Sequence, residues 1–200
     1  MKRAQPSKRA PTDAVEKRRD WIRFCGFARM HVWVSGGPIH APHERVLQLL
    51  IKPWADDHES WTVYRHEKDP HKDGKIVFKK WNYAADRERF LALGRKVAPK
   101  AWDTKTNVGE RHFPVSGRWV SGLERAVGAL SVPPIAGTVR PLLRDTEYQL
   151  SLWRSRQESE FSWHPIPPAA WKPMARLFST LLRNFRQHAD GKPLAPIHEL

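Results

Sequence analysis

Cysteine is nearly absent from this chain: its 200 residues hold one, Cys25. A lone thiol excludes a disulfide framework and a cysteine-based zinc site, and it suits a reducing, cytoplasmic setting. No run of about 18 apolar residues occurs, so no membrane-spanning helix is expected. The N-terminal stretch lacks the apolar core that a secretory signal carries. Neither GxGxxG nor GxxxxGK[ST] is present, and Ser35-Gly36-Gly37-Pro38 reads as a turn rather than a phosphate cradle. Signatures of RRM, KH, zinc-finger and helix-turn-helix modules are missing as well.

Acidic residues are also in short supply. Against 35 Lys and Arg stand 21 Asp and Glu, for a net charge of +14 and a pI of about 10.3. The excess is spread along the chain. Residues 1–23 carry 8 basic and 3 acidic groups (+5), and residues 61–117 carry 13 and 7 (+6). Such a field favours polyanions or an acidic protein surface.

What is abundant is apolar and aromatic. Hydrophobic residues make up 40% of the chain and Trp alone occurs 10 times, enough for a real core and against global disorder. Residues 13–190 are expected to form a single α+β domain, with a disordered basic arm over 1–12 and a tail over 191–200.

The clearest pattern lies between Thr146 and Phe185. Tyr148, Leu150 and Leu152 alternate with polar neighbours, as do Phe161 and Trp163, which predicts a β-hairpin. Pro165, Pro167, Pro168 and Pro173 forbid further pairing. Trp171, Met174, Phe178, Leu181 and Phe185, with Leu177 and Leu182 beside them, then form one apolar helical stripe that ends at Asp190-Gly191.

Upstream, Asp13 is expected to cap a helix through about Phe24. Phe27–Val34, Val46–Lys52, Ser60–His66 and Lys75–Trp81 read as strands, the second suited to the sheet centre and the last two joined by a turn at Asp73-Gly74. Ala84–Val97 reads as a helix, residues 98–116 as a long loop, and Ser116 as the cap of a short helix carrying Trp119, Leu123, Val127 and Leu130. Ser131–Arg144 is a connector. The strand–strand–helix order occurs twice, but the shared Glu-Ser at 59–60 and 158–159 is too short to mark a duplication. The expected architecture is a mainly antiparallel sheet with helices packed largely on one face.

The run Tyr148-Gln-Leu150 … Phe161-Ser-Trp163-His … Pro167-Pro168-Ala-Ala-Trp171-Lys-Pro173-Met resembles the C-terminal part of many small uncharacterised bacterial α+β proteins. There, a strand pair leads through a Pro-Pro-x-x-Trp turn into a closing helix. The resemblance spans about 40 residues, concerns structure, and implies no catalytic residue.

Chemistry-bearing clusters are sparse. His40, His43, Asp56, Asp57, His58 and Glu59 are ligand types without a recognised metal spacing. Asp57 or Glu59 followed by Asp73-Gly74-Lys75 loosely resembles the acid…acid-x-lysine pattern of restriction-type nucleases, yet Asp73-Gly74 also makes an ordinary hairpin turn. Cys25 reads as a small core residue. Glu158 and Glu160 fall on one strand face and read as solubility charges or as partners for Arg154 and Arg156 across the turn. No catalytic, cofactor-binding or metal-binding residue is assigned.

The residues assigned to a partner are cationic. They are Lys2, Arg3, Lys8 and Arg9 in the arm, Arg87, Arg95 and Lys96 around the first predicted helix after the strands, and Lys172, Arg176, Arg183 and Arg186 opposite the apolar stripe of the last helix. The expected function is non-catalytic binding of a polyanion, nucleic acid first. The alternatives are an adaptor or immunity-like subunit for an acidic protein, and a metal-dependent nuclease.

Overall fold

The computed structural model describes residues 10–33, 43–92, 105–130, 145–154 and 157–197. Its elements are α1 (Ala10–Trp33), β1 (His43–Lys52), β2 (His58–His66), β3 (Gly74–Trp81), α2 (Tyr83–Ala92), β4 (Val108–Val115), α3 (Gly117–Gly128), β5 (Glu147–Arg154), β6 (Gln157–Trp163) and α4 (Lys172–Ala189). The six strands form one sheet in the order β4-β3-β2-β1-β5-β6, with every neighbouring pair antiparallel. The fold is α+β.

Strand alternation divides this sheet into two unlike faces. Leu47, Leu49, Trp61, Val63, Ile76 and Leu150 point to one side, where they meet Val120 and Leu123 of α3 and Met174, Phe178, Leu181 and Phe185 of α4. Burying the five innermost α4 side chains, Met174, Leu177, Phe178, Leu181 and Phe185, contributes about 8–15 kcal/mol before entropy. Ser60, Thr62, Gln48 and Lys79 point to the other side and are buried too. There α1 lies against the sheet through Phe24, Cys25, Ala28 and Val32, which pack on Trp81. The α2 helix joins that side, with Phe90 5.1 Å from Trp21 and Asp86 accepting a 2.8 Å bond from Trp81 Nε1. So the helices are shared between the faces, two and two, rather than gathered largely on one.

Three element assignments change. Phe27–Val34 is not a strand, because α1 runs on to Trp33. Phe24, Cys25, Ala28 and Val32 recur at helical spacing, and it is these that are buried, not the alternating set beginning at Phe27. Within residues 98–116, Val108–Val115 forms β4 and pairs with β3. Its polar letters suit an edge strand, where Pro114 sacrifices no central ladder bond. The helix begins at Ala10 rather than at an Asp13 cap.

Other expectations hold, whereas residues 10–12 of the expected arm belong to α1 and the helix expected over Ala84–Val97 is described as Tyr83–Ala92. β1 sits between β2 and β5. Ser116 caps α3, its side chain accepting from Trp119 N, Pro173 lies in the first turn of α4, and Gly191 takes a positive φ of 89° at the stop. Residues 191–197 do not trail away: Trp119 Nε1 donates to Ala195 O at 3.0 Å, and Ala195 N donates to Asn184 Oδ1 at 2.9 Å. Residues 1–9, Gly94 and the Ser131–Arg144 connector lie outside the described residues.

Candidate nucleic-acid interface

The sequence Lys172–Ala189 has a single plan. Its apolar residues follow the helical period and its cations occupy the other side, with no Asp or Glu anywhere in the helix. Lys172, Arg176, Arg183 and Arg186 are all exposed and all line one groove between α4 and the open end of the β5–β6 hairpin. The groove has a volume of about 630 Å³, and its opposite wall includes Tyr148, Trp163, Pro165 and Pro167. With a rise of 1.5 Å per residue, the four cations span about 21 Å.

Two features separate this ridge from an ordinary solvated helix face. Lys172 stands in the first turn, where the positive end of the helix dipole disfavours a cation. The helix offers no acid to offset it. Among the described residues, Lys172, Arg176 and Arg183 also form no ion pair. Arg186 does, donating to Glu59 at 2.7 Å. Many other cations of this protein are matched: Lys52 with Glu147, Lys80 with Asp57, Arg89 with Asp86, and Arg65 with both Glu44 and Glu124. Other described cations, among them Lys68, Lys72, Arg118 and Arg125, likewise form no ion pair among the described residues, so what marks α4 is the alignment of its unpaired cations along one groove.

Of the other assigned cations, Arg87 is exposed on α2, on the far side of the sheet from α4. It lines a second groove, of about 480 Å³, together with Lys17 and Arg18. Lys2, Arg3, Lys8, Arg9, Arg95 and Lys96 lie outside the described residues. Lys17 and Arg18 were missing from the sequence-based set. The signal for them was a basic run next to Trp21 on a helix, and only the packing of α2 against α1 turns that run into one side of a groove.

The remaining candidates are dispersed. His58 and Glu59 point to opposite faces of β2, Glu59 towards Arg186 and His58 into the layer beneath α1. Asp57 pairs with Lys80 at 3.1 Å and accepts from Tyr83 N at 2.9 Å. His43 faces His66, and His40 lies outside the described residues. In the nuclease-like pattern, Glu59 pairs with Lys80 while Lys75 pairs with Tyr64, five residues along the same ladder. That separation is about 16 Å, and Asp73 lies beyond Lys75 at the turn, too far from Glu59 for one metal ion to bridge the two acids. Asp73 belongs to the turn, as its dual reading allowed.

Beneath α1, sequence reasoning missed a buried polar layer. His58 is 2% exposed between the Trp33 and Trp81 rings, and neither of its ring nitrogens has a hydrogen-bond partner among the described residues. Burial, reinforced by the charges of Arg29 and Lys52, pushes its pKa down to about 4. Lys52 Nζ lies 4.7 Å from the Trp33 ring and bonds Glu147 and Gln149. Cys25 is buried and its thiol is pushed up to about 11, first by burial, so it stays protonated and unreactive at neutral pH. Only the single Gln48 within an otherwise apolar Val46–Ile51 hinted at this layer.

No family model, curated protein or solved structure matches this chain.

Proposed function

We propose that this protein is a non-catalytic binding protein that engages a polyanion, nucleic acid, through the cationic groove of α4. The observation that carries the reading is the unpaired state of Lys172, Arg176 and Arg183 along one groove, on a helix without a single acid. Charges placed for helix stability would put acids at the N-terminal turn and cations at the C-terminal one. Here the first turn carries Lys172 instead. Contacts made by such a ridge are to phosphates and carry no sequence information of their own.

The test is affinity against salt. Three neutralised phosphates, one for each unpaired cation, give a slope of about −2.7 in log K against log salt for duplex DNA, or a loss of about 40-fold between 50 and 200 mM. Replacing Lys172, Arg176 and Arg183 together by Gln should flatten the slope by about 2.7 while leaving the fold intact, as checked by circular dichroism. A wild-type protein that ignores DNA and RNA at low salt, yet retains a stoichiometric acidic protein through these three residues, would favour the adaptor reading instead.

A further inference from the structure

The second groove differs from the first in what lies between its cations. Lys17, Arg18 and Arg87 stand around Trp21, Tyr83 and Phe90, which are all partly open to solvent. Trp21 lies 5.6 Å from Tyr83 at 64° and 5.1 Å from Phe90 at 49°, so the three rings form one angled aromatic wall, with Trp21 also stacked on Phe24 at 5.6 Å. The groove's lining contains no carboxylate. Among the described residues none of its three cations forms an ion pair, although Arg89, two positions from Arg87, pairs with Asp86 at 2.9 Å. Trp21 and Tyr83 also pack against the smaller core of Phe24, Cys25, Ala28, Val32 and Trp81, yet both stay partly open to solvent.

We infer that the α1–α2 groove is a site for single-stranded nucleic acid, in which a base lies against the Trp21–Tyr83–Phe90 wall and the flanking phosphates meet Lys17, Arg18 and Arg87. A base in a duplex is stacked and paired, so it cannot present its face to such a wall; an unpaired base can, whatever its identity. The groove volume of about 480 Å³ leaves room for a nucleobase with part of its sugar. The inference rests on the reading that the partner is nucleic acid, but not on the α4 groove, which lies on the other face of the sheet.

The experiment compares two strands of equal charge, an oligothymidylate of about 12 nucleotides and an abasic chain of the same length. Binding to the full chain is measured by anisotropy at about 0.3 M salt, where phosphate contacts are weakened. Stacking of one base predicts that the abasic chain binds about fivefold or more weakly. That gap should close in Trp21→Leu and persist when Lys172, Arg176 and Arg183 are replaced by Gln. Equal affinity of the wild-type protein for the two strands overturns the inference whether or not Trp21→Leu folds. It leaves the α4 reading standing, whereas failure to bind any nucleic acid at low salt removes both.

Discussion

Acidification tests the buried layer beneath α1 most directly. His58 is 2% exposed, its ring nitrogens lack partners among the described residues, and burial holds its pKa at about 4 against an ordinary value of 6.5. The charged groups acting on it are Arg29 and Lys52, which oppose protonation, and Asp56, which favours it. Because the folded pKa is the lower one, the unfolded chain binds the extra proton between these values. Stability is therefore complete above about pH 6.5 and declines as pH falls towards 4, after which this contribution levels off. At pH 5 the loss works out at about 2 kcal/mol, and its limit at lower pH is about 3 kcal/mol. Against a total of about 5–15 kcal/mol, that is a large fraction. The assay is urea unfolding at a series of pH values for the wild type and for His58→Gln, which cannot titrate. Carboxylates shared by both proteins cancel, so the wild type should lose about 2 kcal/mol more than the variant between pH 7 and pH 5. Parallel stability curves, or an imidazole that titrates near its ordinary value in the folded state by NMR, would refute the reasoning.

Other perturbations have equally definite outcomes. Asp86 is 1% exposed and receives Trp81 Nε1, Asn107 N and Arg89, so Asp86→Ala should cost about 3 kcal/mol or more in urea unfolding by stranding those donors. A Cβ at Gly74 would lie 2.3 Å from the Tyr64 carbonyl oxygen, which is backbone and cannot step aside. Gly74→Ala should therefore destabilise by about 2 kcal/mol, read as a lowered urea midpoint, and a neutral result would contradict the close packing of the β2–β3 hairpin. Glu59→Gln releases Arg186 from its 2.7 Å ion pair, and low-salt affinity for duplex DNA should rise about two- to fivefold, with a steeper salt slope.

Periodicity alone determined the hairpin from Tyr148 to Trp163, the apolar stripe of α4 and its stop at Gly191, because each depends on residues close in the chain. The cationic side of α4 was legible for the same reason: cations and apolar residues separate on one helix through spacing. What lay beyond reach was everything set by partners distant in sequence. Phe27–Val34 alternates like a strand, yet Trp81 supplies a surface that selects the helical set Phe24, Cys25, Ala28 and Val32. Val108–Val115 has the polar composition of a loop and is a strand only because β3 leaves an edge to pair with. Which cations remain unmatched is likewise a tertiary fact. Arg186 meets Glu59 across 127 residues of chain, while Arg176 and Arg183 meet no acid among the described residues. The letters fix how many charges this protein carries, and folding decides which are neutralised, because ion pairs form between neighbours in space.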